Sequence, residues 1–409
     1  MIRKIIKKIQ NNRLLFLLFA FILFQLLIIL FFDLGQKLGP KTTNCVYSEQ
    51  KVNNPISLWP RANFDGMHYL SIAKNGYSQY QQAFFPFYPL LIKFLTPVFA
   101  GKDLVAALFI SSLSLLGGIY FLYQLVLLDY KEKIAKRTVF FLLIFPSAFF
   151  FALVYTESLF LFLSVGAFYF ARTKNWVLAG ILAGLASATR LVGIFLLPAL
   201  LVEWIQQDKF KNQISKIKIA YQNIKRKNIF EFSPVIFHFS FLIFNLLPLF
   251  LVPLGLLFYM RFLAINYQDP LLFLHVQPAF GVQRSADKLI LYYQVIWRYL
   301  KMIAATKPDP LFFTVWIEFI STLSFLILIV IAYFKKIRMS YLVYTILSYF
   351  VSTLTGTFVS MPRFLLVLFP CFICLALIEN KLFRLAISII FLIISFSMVS
   401  LFVRGYFVS

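Results

Sequence analysis

The stretch Leu14-Leu-Phe-Leu-Leu-Phe-Ala-Phe-Ile-Leu-Phe-Gln-Leu-Leu-Ile-Ile-Leu-Phe-Phe32 has one polar residue, Gln25, and decides the fold class. Its length is close to the roughly 20 apolar residues with which a helix crosses a bilayer core. A signal peptide has a shorter apolar region, about 7 to 15 residues, followed by a small-residue cleavage site. We therefore expect a membrane-spanning helix. Because cations stay on the cytoplasmic side, the N-terminus is expected there: the preceding cations are Arg3, Lys4, Lys7, Lys8 and Arg13.

The whole chain has the composition of a polytopic membrane protein. Of its 409 residues, 61% are hydrophobic and 13% are charged, whereas soluble domains contain roughly 45 to 50% apolar residues. The net charge of +24 lies in short clusters between long apolar runs, which is typical of membrane orientation signals. We therefore expect no nucleic-acid partner. The three cysteines are too few for a disulfide framework, and Cys371 and Cys374 have no nearby histidine with which to bind a metal.

The positive clusters order the apolar runs into alternating membrane crossings. The predicted full crossings are residues 14–32, 103–128, 138–153, 157–171, 234–261, 311–334, 341–359, 364–378 and 385–403. With the hairpin described next, this predicts an all-α polytopic membrane protein of about eleven transmembrane helices. We expect a single integral-membrane domain, residues 1–409, with external segments at 33–102 and 262–310.

The run Trp176 to Trp204 lies between cations on both sides, Arg172 and Lys174 before it and the basic loop 209–227 after it. Both of its ends are therefore expected in the cytoplasm, which a single crossing cannot achieve. Two arms of about 12 to 14 residues reach only about 20 Å each, short of a hydrocarbon core of about 30 Å. We expect a hairpin of two short helices whose tip, near Ala188-Thr189-Arg190, is buried below the outer surface.

Several cations lie on the predicted outer side, where an anionic ligand would need them. They include Arg61 and Lys74 around Asp65, Arg284 in the second external segment, Arg363 after Pro362, and Arg190 between two apolar arms. A lone arginine in a membrane costs at least about 2.5 kcal/mol, so Arg190 is expected to face a polar cavity and an anionic partner. The alternative is a buried Arg190–Glu157 pair that only holds helices together.

The segment Arg61-Ala-Asn-Phe-Asp-Gly-Met-His-Tyr-Leu-Ser-Ile-Ala-Lys-Asn-Gly-Tyr77 predicts a short helix. Asn63 is a suitable N-cap and Gly76 a suitable end. At 100° per residue, Asp65 and His68 share one face and Leu70 lies on the other. We expect amphipathic juxtamembrane helices in this first external loop, with the apolar side in the membrane and Asp65 facing a cavity. Asp65 could equally serve only to complement the helix dipole.

Six blocks of the sequence occur in an order that is typical of a known family. They are Phe-Asp-Gly-Met-His-Tyr-Leu-Ser-Ile-Ala-Lys-Asn-Gly-Tyr (64–77), Phe-Phe-Pro-Phe-Tyr-Pro-Leu-Leu (84–91), Phe-Pro-Ser-Ala-Phe-Phe-Phe-Ala-Leu-Val-Tyr-Thr-Glu-Ser-Leu-Phe (145–160), Gly-Leu-Ala-Ser-Ala-Thr-Arg-Leu-Val-Gly (184–193), Asp-Pro-Leu-Leu-Phe-Leu-His-Val-Gln (269–277) and Ser-Met-Pro-Arg-Phe (360–364). With these blocks the chain resembles the PIG-V type of mannosyltransferase, within the GT-C superfamily of integral-membrane glycosyltransferases.

The resemblance implies a GT-C-like fold and an activity. Members take a sugar, here most simply mannose, from a polyprenyl-phosphate carrier and pass it to a lipid or glycan acceptor outside the cytoplasm, with inversion. The presumed base carried over from the family is Asp65, preceded by Phe64 where the family commonly has Trp. Because positions 63 and 67 are Asn and Met, an Asp-x-Asp motif is absent, and a divalent metal is possible but not favoured. In a bacterium the protein would lie in the plasma membrane, surrounded by membrane lipids.

The residues suit that chemistry. A carboxylate within reach of an acceptor hydroxyl can take its proton, an effect worth about 10² to 10⁴ in rate. Fixed cations can stabilise the departing phosphate, and Arg190 and Arg363 are expected to converge on it. The candidate site residues besides Asp65 are Arg190, Arg363, His68, Arg284, Arg61, Glu157 and Gln277.

Two other classes of function share these features. A transporter or flippase for a polyprenyl-linked glycan also has interrupted helices and buried charge, but its sites lie near the midplane between repeated halves. Here the polar residues gather at the predicted outer end, and the halves have no matching interrupted segments. A non-catalytic lipid-binding scaffold would need the cations but not Asp65.

Overall fold

The computed structural model describes residues 12–39, 58–207 and 246–408, apart from 282–283, 286–287, 289, 308 and 355. All regular structure within these residues is helical, which confirms the all-α prediction. The basic loop 209–227 and most of the first positive cluster lie outside the described residues.

The described residues form helices of unequal length. In chain order the α-helices are α1 Arg13–Leu38, α2 Asp65–Asn75, α3 Phe87–Leu95, α4 Asp103–Leu127, α5 Glu132–Ile144, α6 Glu157–Arg172, α7 Trp176–Ser187, α8 Leu196–Gln206, α9 Leu251–Tyr267, α10 Leu272–His275, α11 Tyr292–Ala305, α12 Pro310–Phe334, α13 Met339–Thr353, α14 Met361–Phe364, α15 Phe369–Ala376 and α16 Lys381–Val403. Short 3-10 helices are Trp59–Ala62, Gln81–Ala83, Thr96–Phe99, Ala148–Ala152, Leu191–Phe195, Leu247–Phe250, Gln277–Phe280 and Leu365–Val367.

Five helical segments among the described residues are long and apolar enough to cross a membrane. They are α1, α4, the segment Leu247–Tyr267, α12 and α16. Rows of exposed leucine, isoleucine and phenylalanine side chains cover them, for example Leu18, Ile22 and Leu26 on α1. Such surfaces are stable only in a hydrocarbon environment. The protein is an integral membrane protein.

Two of the predicted crossings are not continuous helices. The run 138–153 breaks after Ile144, where Pro146 leads into the 3-10 helix Ala148–Ala152. The run 364–378 is divided among α14, the 3-10 helix Leu365–Val367 and α15, and Pro370 lies in the first turn of α15. Proline lacks a backbone N–H and disfavours a helical conformation in the residue before it. These prolines explain why an apolar run of the right length does not form one helix.

The predicted pair of short arms is confirmed. Helices α7 and α8 are short and joined by residues 188–190 and the 3-10 helix Leu191–Phe195. Helix α7 packs closely on α9, since a side chain at Gly184 would lie 2.7 Å from the carbonyl oxygen of Leu251. The backbone N–H of Phe87 donates to the carbonyl of Ala188 at 3.2 Å, so α3 fixes the position of the turn.

Helix α6 runs through the centre of the protein and carries charged residues at both ends. Glu157 begins it and Arg172 ends it. Arg172 makes two hydrogen bonds to Asp129, at 2.6 and 2.7 Å, and Arg338 likewise binds the buried carboxylate of Glu203 at 2.6 and 2.7 Å. The first pair joins α6 to the turn after α4, and the second joins α8 to the start of α13. At 1.5 Å per residue, about 22 Å separates Arg172 from Glu157.

Candidate active site

A cavity of about 500 Å³ lies at the Glu157 end of α6. Its wall is formed by α2, the turn that links α7 to the 3-10 helix Leu191–Phe195, residues 273–280 together with Arg284, and the ends of α13 and α14. The charged side chains in the wall are Asp65, Glu157, Arg190, Arg284 and Arg363. Five of the eight site residues predicted from the sequence therefore meet in one cavity, and Gln277 is a sixth.

Four of these side chains form a chain of alternating charge. Asp65 Oδ2 lies 2.6 Å from Arg363 Nη1, and Arg363 Nε lies 3.3 Å from Glu157 Oε1. The same Glu157 oxygen accepts from Arg190 Nη1 at 2.9 Å. The side chain of Glu157 is 1% exposed and that of Asp65 is 20% exposed. The Arg190–Glu157 pair is therefore present, and Arg363 connects it to the candidate base.

Asp65 is the first residue of α2, and the backbone just before it is strained. Phe64 has φ 57° and ψ −117°, a region that non-glycine residues rarely adopt. The preceding residues are anchored, since Tyr155 Oη donates to the Asn63 carbonyl at 2.8 Å and the Asn63 amide donates to the Phe402 carbonyl at 3.1 Å. The prediction that Asn63 is the N-cap of α2 was therefore wrong, because its side chain makes a long-range contact instead. Gly76 ends the helix at φ 81°, as expected.

The apolar face of helix α2 packs inside the protein. Leu70, which was expected to face the lipid, is buried together with Tyr69, Ile72 and Ala73. The helix packs on α3 and α4 within the protein. An apolar helix face fits a protein core as well as a lipid phase, so the pattern could not distinguish them. Helix α3 does carry the expected exposed apolar side chains, Leu90 and Phe94.

Arg363 is held from several directions. Its guanidinium carbon lies 5.2 Å from the ring centres of Tyr155 and Phe364. The adjacent Pro362 carbonyl accepts from Ser147 Oγ at 2.6 Å. Burial by itself lowers the pKa of Arg363, but the nearby carboxylates of Asp65 and Glu157 outweigh that effect and raise it. The side chain therefore stays charged and nearly immobile at the back of the cavity.

The loop before Arg363 is supported by a buried polar cluster. Tyr299 Oη donates to Glu318 Oε2 at 2.6 Å and accepts from the Phe358 N–H at 3.1 Å. Ser360, in the same loop, has φ 68°, which strains a non-glycine residue. Tyr299 was not among the site residues predicted from the sequence. An isolated acid in an apolar run, as at Glu318, was the available signal.

Arg284 and Gln277 form a separate pair on the outer wall. Arg284 Nη1 donates to Gln277 Oε1 at 3.0 Å, and Gln277 Nε2 donates to the Phe273 carbonyl at 3.1 Å.

The neutral residues Tyr69 and Thr156 also line the cavity and were not predicted as site residues. Burial raises the pKa of Tyr69, so its phenol stays protonated and can donate a hydrogen bond.

Arg61 and His68 are not among the residues that line the cavity. Arg61 is buried against the carbonyl of Ala152, at 3.4 Å, and over the ring of Phe32. His68 stacks on Phe84, with ring centres 4.8 Å apart. Burial lowers the pKa of His68, although the charge of Asp65 opposes this effect. Both side chains support the elements around the site.

The described lining of the cavity contains two acids, Asp65 and Glu157. Among residues 12–39, 58–207 and 246–408, with the gaps given above, no group of three or more His, Cys, Asp or Glu side chains could hold a metal ion. Asp65 and Glu157 are separated by Arg363, and each is neutralised by an arginine. This arrangement suits an anion better than a divalent cation.

The chain matches solved structures only remotely. The oligosaccharyltransferase of Archaeoglobus fulgidus tethered to an acceptor peptide is 14% identical, with a TM-score of 0.47, over 96% of this chain and 56% of that chain. Its complex with an inhibitory peptide and a dolichol-phosphate is 13% identical, with a TM-score of 0.47, over 98% and 57%. The chain thus spans little more than half the length of these structures. A search of curated proteins gives no match.

One family matches by sequence. The profile of the mannosyltransferase (PIG-V) family aligns with residues 3–247, more than half of the chain and a region that contains Asp65, Glu157 and Arg190. Arg284 and Arg363 lie beyond the matched region. The family expected from the sequence motifs is therefore confirmed, and the chain belongs to the mannosyltransferase (PIG-V) family.

Proposed function

We propose that the protein transfers a hexose, mannose, from a polyprenyl-phosphate donor to a lipid or glycan acceptor outside the cytoplasm. The observation that carries this proposal is the cavity in which Asp65 meets three arginines. Family membership supports the sugar transfer. A carboxylate that can take a proton and cations that can hold a phosphate are the two groups that this reaction needs.

Asp65 acts as the general base. Its carboxylate takes the proton of the acceptor hydroxyl while that oxygen forms a bond to the anomeric carbon of the sugar. The bond from the anomeric carbon to the phosphate oxygen breaks, and polyprenyl phosphate leaves with the electron pair. Attack from the face opposite the phosphate inverts the anomeric centre. Proton removal of this kind contributes about 10² to 10⁴ in rate.

The charge of the cavity suits a monophosphate carrier. Its described lining contains three arginines and two carboxylates, Asp65 and Glu157, which leaves one net positive charge. A sugar linked through a phosphodiester carries one negative charge. Because uncompensated charge is costly in a partly buried site, this balance favours a polyprenyl-phosphate donor over a diphosphate. The reaction needs no metal under this proposal, since arginines neutralise the anions.

The apolar part of the wall can receive the lipid. Leu191 and Val192 from the hairpin segment and Val351 from α13 line the cavity. Nearby on α13, Ile346 and Phe350 are exposed and suit contact with hydrocarbon. We infer that the polyprenyl chain leaves the cavity along this side, while the sugar and phosphate stay near the charged residues.

The active site is assigned to the extracytoplasmic side of the membrane. The positive clusters put the N-terminus and the Arg172 end of α6 in the cytoplasm. Glu157, at the other end of α6, then faces outward. Under this topology only the lipid carrier has to cross the membrane.

The test is mass spectrometry of lipid-linked and surface glycans from cells that lack the gene. We expect one glycan to lose a hexose, wild-type protein to restore it, and Asp65→Asn not to restore it. Glu132→Gln is the matched control, because Glu132 lies outside the cavity in a partly exposed ion pair with Lys136. Unchanged glycans in the deletion strain would reject the proposal. Full restoration by Asp65→Asn would leave a lipid-binding scaffold as the better account.

A further inference from the structure

We propose that the three arginines of the cavity have separate roles: Arg284 binds the donor phosphate, and Arg363 positions Asp65. This inference rests on the proposed function and deepens it. It differs from the sequence-based expectation that Arg190 and Arg363 converge on the phosphate. The distinction comes from which arginines already have an anionic partner among the described residues.

Arg363 is already committed to carboxylates. It contacts Asp65 at 2.6 Å and Glu157 at 3.3 Å, and its side chain is 9% exposed. Aromatic rings of Phe150, Tyr155 and Phe364 lie within 5.6 Å of its guanidinium carbon. A side chain with two anionic partners and three rings has little freedom to turn towards a ligand. Its geometry fits a residue that fixes the carboxylate of Asp65.

Arg190 is also neutralised, by one carboxylate. Its Nη1 donates to Glu157 at 2.9 Å, and its guanidinium carbon lies 5.0 Å from the ring centre of Phe364. The turn that carries it is held by the Thr189 hydroxyl, which donates to the Leu185 carbonyl at 2.7 Å. Arg190 thus secures Glu157, and through it Arg363.

Unlike Arg363 and Arg190, Arg284 has a neutral partner among the described residues. Its Nη1 donates to the amide oxygen of Gln277, and no carboxylate of the described residues lies within ion-pair distance. Its Nε is buried and has no hydrogen-bond partner in the described part of the chain. Arg363 Nε also lacks a hydrogen bond, but it lies 3.3 Å from the carboxylate of Glu157. Burial lowers the pKa of Arg284, although the charge of Asp65 opposes this effect. An anionic ligand would supply the missing partner.

Phosphate is the anion that fits. Arg284 lines the cavity that also contains Asp65, so a ligand bound to it lies within the same space as the candidate base. A guanidinium offers a planar pair of N–H groups that match two phosphate oxygens. Gln277 is itself held by the Phe273 carbonyl, and this second contact orients the guanidinium before the ligand arrives.

The test measures binding of polyprenyl phosphate without a sugar to the detergent-purified full chain. Arg284→Gln should raise its Kd at least about tenfold, since a hydrogen bond to a charged group is lost. Arg284→Lys should raise it less, because charge remains but the planar fork is lost. Arg363→Lys should leave Kd within about threefold. Lys288→Gln is the matched control, an exposed cation of the same external segment.

Turnover separates positioning from binding. Arg363→Lys should lower kcat with little change in KM, whereas Arg284→Gln should raise KM. A purely structural role of Arg363 would not separate kcat from KM in this way. Melting curves of every variant identify those that fail to fold.

The outcomes distinguish this inference from the proposed function. Unchanged binding by folded Arg284→Gln would overturn the phosphate assignment, and so would loss of binding by Arg363→Lys with normal kcat. Binding of polyprenyl phosphate is measured without any transfer. An Arg284-dependent Kd in a protein that transfers no sugar would therefore keep the phosphate site and reject the transferase.

Discussion

Glu157 is the residue whose replacement should most reduce stability within the site. Its carboxylate is 1% exposed and faces both Arg190 and Arg363. Glu157→Gln keeps the shape and one acceptor but leaves two arginines without their shared negative charge. Breaking a buried ion pair from one side costs about 3 to 5 kcal/mol. For a chain of this length, each kcal/mol of lost unfolding free energy lowers the melting temperature by about 2 °C. Glu157→Gln should therefore lower the melting temperature by about 6 to 10 °C.

Thermal unfolding in detergent can be followed with a thiol-reactive dye in a Cys45→Ser background, because Cys371 and Cys374 are buried and react only when the protein opens. The control is Glu132→Gln, which removes a partly exposed pair on α5 and should cost no more than about 1 kcal/mol. Arg190→Ala should lower the melting temperature by a similar amount to Glu157→Gln.

The double variant gives a sharper check. Once Arg190 is replaced by Gln, Glu157→Gln removes a negative charge from Arg363 alone, which keeps its pair with Asp65. The two single effects should therefore sum to more than the effect of the double variant. A fall of less than about 2 °C for Glu157→Gln, equal to that of the Glu132 control, would refute the reasoning that Glu157 joins the two arginines.

Three further predictions concern the residues beside Asp65 and the orientation of the protein in the membrane. His68 has a pKa lowered from 6.5 in the unfolded chain by burial; the unfolded state therefore takes up a proton first, and stability should fall as pH drops below about 6.5. His68→Phe, which can still stack on Phe84, should reduce that fall in the melting temperature, and an unchanged pH profile would contradict this. A side chain at Gly66 would lie 3.3 Å from the Val154 carbonyl oxygen, so Gly66→Val should displace Asp65 and lower kcat by up to about 10². The control is Ala304→Val at an exposed position of α11, and a normal rate for folded Gly66→Val would show that the close contact is unimportant. Single-cysteine variants labelled from outside the cell should react at residue 407 but not at residue 174. A cysteine at residue 225, which lies outside the described residues, should also stay unlabelled. Labelling at residue 174 would reverse the assigned orientation.

The sequence indicated most residues of the site but not how they connect. Asp65 and Arg363 are 298 positions apart, and spacing alone carries no information on such a contact. The Arg190–Glu157 pair was predictable as one alternative, because a lone arginine between apolar arms requires an anion. That Arg363 joins this pair to Asp65 depends on α14, whose place is fixed by Ser147 and the Tyr299–Glu318 cluster.

The fold shows a similar division. Long apolar runs such as α1 and α12 were recognisable because hydrophobic length alone determines them. Pro146 and Pro370 could have indicated where these helices are interrupted. The interruptions were not predicted because the surrounding runs are uniformly hydrophobic. The burial of Leu70 could not be foreseen, since lipid and protein interiors favour the same side chains.

The most direct test of the central claim is single-turnover transfer of labelled mannose from synthetic polyprenyl-phosphate mannose to the acceptors in native membranes. The proposal predicts that Asp65→Asn lowers the rate at least about 10²-fold, that donor binding stays within about threefold, and that Glu132→Gln behaves as wild type. A near-normal rate for Asp65→Asn would contradict the assignment of Asp65 as the base and of this cavity as the site of transfer.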